Sequence, residues 1–387
     1  MGRAPRVPAP TLSSHTSLSA ITKAQTVRER TAGPLQFLRA RIGSWGLILA
    51  LAALPVYYTI HDLVAGYQAG VNAAGHPIIH HDLSIIGFNV VEGLSNGAIW
   101  ALIAIGYTLV YGIIELINFA HGDVFMIGSF TGTTVWAAFG LTVATGMPGL
   151  ILGLTATLII TMFVTGSLNV LIERVGYKPL RRAPKLAPLI TAVGFSFVLQ
   201  NVGLLWAGGN PVAVENLINS GHTLFNISGV AIHNQDVLAI GMMIPLVLAL
   251  NWFVNRTAAG RAMRATAQDP EAARLMGINV NNTISLTFML GGMLAGAAGV
   301  IYALYTTSVW YFQGFQAGLY AFTAAVMGGI GNIRGAVLGG LIIGVVQQTS
   351  DYRLGTQWTE AVIFIYLIIV MVLRPRGLLG EETREAG

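Results

Sequence analysis

Continuous apolar tracts, rich in Gly, Ala, Leu and Ile, recur along the whole chain. Several approach or exceed the roughly 20 apolar residues that an α-helix needs to cross a bilayer core. Membrane-spanning strands would instead give short segments of alternating polarity. Only 10% of the 387 residues are charged, against roughly 25% in soluble domains, and the mean hydropathy is +0.67. The expectation is an all-α, polytopic transmembrane helix bundle of about ten segments, some short or re-entrant.

The apolar runs place helices near 45–61, 85–114, 123–143, 148–172, 188–207, 236–254, 283–305, 318–331, 335–349 and 358–373. The pair 318–331 and 335–349 is short, which suits two half-helices or a re-entrant hairpin. The 21 basic residues then test the arrangement. Seven fall in 1–44, five in 173–187, four in 255–282 and three after 373, with Arg334 and Arg353 alone in turns. The loops 62–84, 208–235 and 306–317 have none. Basic residues gather on the cytoplasmic side of membrane proteins. Ten crossings with both termini cytoplasmic put every basic residue but Arg353 inside. That distribution explains the net charge of +5 without nucleic acid, which needs a basic face with aromatic partners.

Residues 1–44 are basic and rich in Ser and Thr, the composition of a disordered cytoplasmic arm. Residues 45–84 add a retained signal-anchor helix and an outer loop. The core covers 85–373, with a cytoplasmic loop at 255–282, and 374–387 forms a cytoplasmic tail. Cysteine is absent, which removes disulfides, Cys-ligated zinc and thiol catalysis. None of the three lysines, Lys23, Lys178 and Lys185, follows a glycine, so the chain carries no Walker A motif. GGIGNIRG (328–335) lacks the spacing of a dinucleotide loop.

Polar residues interrupt the apolar pattern in ELINFAHGD (115–123), where Glu115, Asn118, His121 and Asp123 fall within nine positions. A charge at the bilayer centre costs about 2.5–3.5 kcal/mol on insertion scales. The segment is therefore expected at a helix break near the interface, with Glu115 and Asp123 reaching water and Asp123 capping the next helix. The bland reading is an interfacial turn. The functional one makes Asn96, Asn118 and His121 substrate-path residues, with neutral groups replacing the water lost by a cargo.

A second stretch, DPEAARLMG (269–277), reads as a short helix outside the membrane. Pro270 suits a first helical position, Glu271 the positive end of the dipole, and Gly277 a stop with positive φ. A third signal is small-residue spacing: Gly292 and Gly296, then Gly331, Gly335 and Gly339, then Gly340 and Gly344, repeat at intervals of four that let helices approach closely. His80-His81-Asp82 is read as an exposed loop and the sequon at Asn226 as incidental, so no metal ligand is assigned. No Ser/His/Asp grouping offers catalysis, so the chain is read as no enzyme.

The run GLSNGAIWALIAIGYTLVYGIIELINFAHGDVFMIGSF (93–130) closely resembles the LivH-type permeases of bacterial ABC importers for branched-chain amino acids. IERVGYKPLRR (172–182), GRAMRATAQDPEAARLMGIN (260–279), AFTAAVMGGIGNIRGAVLGGLIIG (321–344) and LRPRGLLG (373–380) follow in the family's order. The resemblance covers about 85–380. It implies a permease subunit in the bacterial inner membrane that carries leucine, isoleucine or valine. The implied partners are a second homologous permease, two ABC ATPase subunits and an extracytoplasmic binding protein. ATP and Mg would be bound by those ATPases and no cofactor by this chain. It also makes Asp269, Glu271, Ala272, Ala273 and Gly277 the ATPase-coupling motif. Departures are residues 1–84 and Arg334. The alternatives are a permease for urea, amides or other amino acids, and an ion-coupled secondary transporter, which needs intramembrane carboxylates.

Overall fold

The computed structural model describes residues 52–71, 77–80, 84–181, 183–184, 186–227 and 229–380. The arm at 1–44, the start of the first apolar helix, His81 and Asp82, Ser228 of the sequon and the tail beyond 380 lie outside the described residues.

The helices follow in chain order. A first helix, α1, runs through 52–64, then α2 (Ser84–Ile114), α3 (His121–Ala138), α4 (Met147–Ile172), α5 (Leu186–Ala207) and α6 (Asn234–Arg256). Two short helices, α7 (Ala258–Gln268) and α8 (Pro270–Leu275), precede α9 (Val280–Thr306), α10 (Gln313–Gly328), α11 (Ile333–Arg353) and α12 (Thr356–Leu373). Local chemistry sets many of the boundaries. Pro148 sits in the first turn of α4, where its missing N–H costs nothing. The Asn332 side chain accepts from Arg334 N and Gly335 N at 3.0 and 3.2 Å and starts α11. Asn279 does the same for α9, accepting from Asn282 N at 3.1 Å.

Among the described residues, six helices are long and apolar enough to cross a membrane: α2, α4 with its extension to Tyr177, α5, α6, α9 and α12. The chain is thus a multi-pass helical membrane protein. α2 and α9 form its centre and are buried along most of their length, whereas α4, α5, α6 and α12 turn apolar residues outward. Leu152, Ile190, Leu205, Leu248 and Val372 are all more than half exposed, a surface that lipid tails cover.

Several expectations are corrected. The segment expected at 123–143 forms at His121–Ala138, and the pair expected at 318–331 and 335–349 forms at Gln313–Gly328 and Ile333–Arg353. Apolar composition does not mark helix ends; caps and tertiary contacts do. The chain is not purely helical: among the described residues three two-stranded antiparallel sheets, β1 (Tyr67–Val71) with β2 (Pro77–His80), β4 (Thr223–Ile227) with β5 (Val230–His233), and β3 (Val212–Ala213) with β6 (Ser308–Val309), occupy the connections. The 255–282 loop is largely α7 and α8.

Arg353 is no stray cation. Its guanidinium pairs with Asp62 of α1, which is fully buried, and lies 5.3 Å from the Tyr58 ring centroid. The added N-terminal helix is therefore fastened to α11 by a buried ion pair. Another buried carboxylate, Glu173, closes α4 onto α9: it accepts from Arg181 and from Ser285 Oγ at 2.7 Å. The IERVGYKPLRR stretch thus supplies both halves of an internal ion pair. At the other end of the chain, LRPRGLLG folds onto α10, with Leu378 N and Leu379 N donating to Met327 O and Gly328 O at 2.8 and 2.9 Å.

Candidate translocation site and coupling helix

The polar stretch does break the helix. α2 ends at Ile114, Glu115 is exposed with a left-handed φ of 51°, and the chain turns into α3 at His121. The connection folds back alongside α2. A Cβ on Gly106, about two turns before the end of α2, would lie 2.2 Å from His121 Nε2. Only glycine leaves room for that ring. His121 is fully buried, edge-on to Tyr107 at 4.9 Å, and among the described residues neither ring nitrogen has a partner in good hydrogen-bond geometry. In a dry site such groups cost free energy unless something visits them.

Asn118 is the opposite case. Its amide donates to Asn169 Oδ1 at 3.2 Å, and its own Oδ1 accepts from the Tyr177 hydroxyl at 3.1 Å. Asn169 in turn donates to Phe288 O at 2.6 Å. A π-helical turn at Glu173–Tyr177 presents the tyrosine, so the break is tied to α4 and α9 together.

Asp123 does not cap α3, and it does not reach water. The N-cap position is Ala120, without a side-chain bond, and Asp123 is fully buried. Because α3 begins at His121, the carboxylate lies within its first turn and is turned toward α5. There Ser196 Oγ donates to its Oδ2, and Gln200 Nε2 donates to Ser196 Oγ at 3.0 Å. Its Oδ1 has no hydrogen-bond partner and faces Gly314 of α10, where a Cβ would come within 2.8 Å. Ser196 and Gln200 open into a cavity of about 70 Å³ walled by Tyr107, Phe119, Phe197, Phe315 and Phe322. A larger cavity of about 460 Å³ lies between the ends of α2 and α6, α7 and the α10–α11 turn, with Asn251, Asn255, Arg264, Gln268 and Arg334 on its wall.

Asn96 stands apart from this group, about 15 Å along α2 from Gly106. Its amide is 3.5 Å from Gln348 Oε1 on α11, and Trp100 beside it donates to Gln347 Oε1 at 2.6 Å. Sequence reasoning missed Asn169, Tyr177, Ser196 and Gln200. Ser196 and Gln200 sit four apart in an apolar helix, a shared polar face that the sequence does display.

The helix at 269–277 forms as its residues require. Asp269 Oδ1 accepts from Glu271 N and Ala272 N at 2.8 and 3.0 Å, and Pro270 occupies the first turn. Gly277, at φ 83°, ends it: Gly277 N donates to Arg274 O and Ile278 N to Ala273 O, each at 3.0 Å. That is a Schellman closure. Ala273 is buried against the protein, while Glu271 and Ala272 are exposed. Leu275 and Met276 are 89% and 83% exposed, an apolar tip on a helix that lies outside the six apolar spans.

The glycine spacing marks close helix packing with one exception. Gly292 and Gly296 lie against Thr165, Gly166 and Asn169 of α4, and Gly335 and Gly339 against Gly328 and Ala324 of α10. Gly340 and Gly344 meet Ala101, Gly97 and Gly93 of α2. Gly331 is that exception. It has φ 97° and nothing within 4 Å of an added Cβ, because it belongs to the α10–α11 turn.

A helix bundle with lipid-facing flanks, a folded-back polar break at its centre and a capped polar helix at one end has the architecture of a membrane transport subunit. Residues 89–372 match the family model described as branched-chain amino acid transport system / permease component. The chain belongs to this family of permeases. It is 41% identical over 312 residues to the high-affinity branched-chain amino acid transport system permease protein BraD of Pseudomonas aeruginosa, covering 80% of this chain and 99% of that one. Identity to the LivH protein of the same description in Escherichia coli K12 is 41% over 299 residues, covering 76% and 95%. A probable LivH permease of Methanocaldococcus jannaschii is 25% identical, covering 73% and 89%.

Proposed function

We propose that this chain is the permease subunit of an ATP-driven importer for branched-chain amino acids. The observation that carries the reading is the 41% identity along nearly the full length of a relative described as a high-affinity permease for that cargo. Asp123 is an intramembrane carboxylate of the kind an ion-coupled transporter needs, so family membership, not this residue, argues against that rival.

In this reading the cargo passes the helix break. A zwitterionic amino acid must exchange its water for protein donors and acceptors. His121, Ser196, Gln200 and the open oxygen of Asp123 offer these beside aromatic walls suited to an aliphatic side chain. Asn118 takes part by holding the break in place, and Asn96 borders the path further along α2. A second permease completes the conduit, and an extracytoplasmic binding protein delivers the cargo. α8 docks on one of two ATPase subunits, its exposed Leu275 and Met276 entering a groove as a short amphipathic helix does. The chain crosses the inner membrane ten times, with α8 and both termini in the cytoplasm.

The absence of cysteine makes the orientation directly measurable. Single cysteines replacing the exposed residues His222 and Ala272 should label from outside and inside respectively in intact cells. Transport is tested by leucine uptake into vesicles containing the complete complex. Uptake independent of ATP would overturn the assignment, and so would external labelling at 272.

A further inference from the structure

A second cluster of ionisable groups joins a residue of α2 to a pair three positions apart at the start of α6. Glu92 of α2, His233 at the end of β5 and Asp236 in the first turn of α6 each offer one donor atom, and these atoms lie within 4.8 Å of one another. His233 Nδ1 is 3.5 Å from Asp236 Oδ2 and 4.0 Å from Glu92 Oε1. Tyr305, at the end of α9, donates to Glu92 Oε2 at 3.2 Å and so orients that carboxylate.

Hydrogen bonding leaves the cluster incomplete. Asp236 is 1% exposed, and its Oδ1 has no partner among the described residues; His233 and Asp236 also form the capping box of α6, which sets the His233 side chain against the Asp236 backbone N–H. The only bond drawn by Asp236 Oδ2 among the described residues comes from the His233 backbone N–H, at 2.9 Å. Two carboxylates facing an imidazole nitrogen with lone pairs to spare are costly in a partly dry site unless a cation is shared among them.

The donor types select the cation. Calcium and magnesium favour all-oxygen shells, whereas one imidazole with two carboxylates suits zinc. Zinc bonds of about 2.0–2.2 Å need donor atoms somewhat closer than they stand here. Glu92 and His233, both half-buried, would have to rotate to close that difference.

We propose that Glu92, His233 and Asp236 form a Zn²⁺ site, with water in the fourth position and Tyr305 as the outer partner of Glu92. The ion joins the start of α2 to the start of α6 and, through Tyr305, to the end of α9. This is the end of the bundle remote from α7 and α8.

The test is titration of the purified full-length protein, stripped of metal, with Zn²⁺ against a chromophoric chelator, together with its thermal unfolding. One Zn²⁺ per chain and a raised Tm are expected. Both should be lost, with affinity falling by more than about tenfold, the scale on which even outer partners of a metal act, in Glu92→Gln and in His233→Ala. They should persist in His222→Ala, which removes a nearby exposed histidine. Absence of binding by the unaltered protein would overturn the site, and so would undiminished affinity in either ligand variant or loss in His222→Ala. Because the first measurement uses the native chain, poor folding of one variant does not shield the proposal.

Discussion

The Asp123 carboxylate and the Ser196 hydroxyl, 73 positions apart in the chain, meet in a hydrogen bond that joins α3 to α5. The carboxylate is fully buried, and its second oxygen is unused by the protein. Removing it by Asp123→Ala strands Ser196 and Gln200 and should cost about 1–3 kcal/mol, seen as lower yield and Tm. Asp123→Asn keeps the shape and a hydrogen-bonding group. If the open oxygen serves the cargo, Asp123→Asn should fold normally and import leucine several-fold more slowly. Uptake at the native rate in vesicles would reduce Asp123 to a packing element.

His121 and Asn118 should separate in the same assay. Asn118→Ala removes a buried hydrogen-bonded hub, so both Tm and uptake should fall, with a stability cost of about 1–3 kcal/mol. His121→Gln leaves the Asn118–Asn169–Tyr177 hydrogen bonds untouched and should chiefly reduce uptake. Unchanged uptake in His121→Gln would leave the break with a structural role only.

Gly277 has a left-handed backbone and nothing within 4 Å of an added Cβ. Its constraint is therefore conformational, not steric crowding. Gly277→Val should cost roughly 1–2 kcal/mol locally and distort the end of α8. Membrane insertion should be normal while ATPase co-purification and stimulated ATP hydrolysis fall. Gly277→Asn, which tolerates that backbone better, should recover much of the loss. Full coupling in Gly277→Val would remove α8 from the ATPase interface.

Gly344 tests the opposite constraint. An added Cβ would stand 2.2 Å from Gly93 O and 2.3 Å from Gly97 N, so α2 and α11 must separate to admit it. Gly344→Ala should destabilise by about 1–3 kcal/mol. Gly241→Ala, where nothing lies within 4 Å, should be tolerated. Thermal unfolding in one detergent compares the two, and equal Tm values would contradict the packing described.

Asp62 and Arg353 should behave as a pair. Removing either partner leaves a buried charge without its counterion, at about 3–5 kcal/mol, so Arg353→Ala should lower Tm sharply. Asp62→Asn with Arg353→Met should lose less than the two single changes added together. Deletion of residues 1–40 leaves the pair intact, and uptake should survive it. A deletion through residue 66 strands Arg353 and should not behave alike.

Hydropathy and charge alone determined that this chain is a helical membrane protein, because a bilayer demands long apolar segments whatever their partners. Local chemistry also determined α8: Asp269, Pro270 and Gly277 carry the cap, the start and the stop within nine residues, and no distant contact was needed. The glycine intervals likewise announced close helix packing, although not that Gly331 belongs to a turn. Tertiary structure alone decided where the polar side chains went. Asp123 stands where a cap or a surface residue would read equally well; only the fold-back of the connection before α3, and the packing of α3 on α5, bury it against Ser196. Arg353 counts as an exception to the charge rule until Asp62 arrives from α1. His233 and Asp236 stand three apart at the start of α6, but nothing in the sequence joins them to Glu92, whose proximity comes from the ends of different helices reaching one level. Periodicity along a chain fixes which face of a helix is apolar, but the partner met by a polar residue depends on register between helices, which no local pattern encodes.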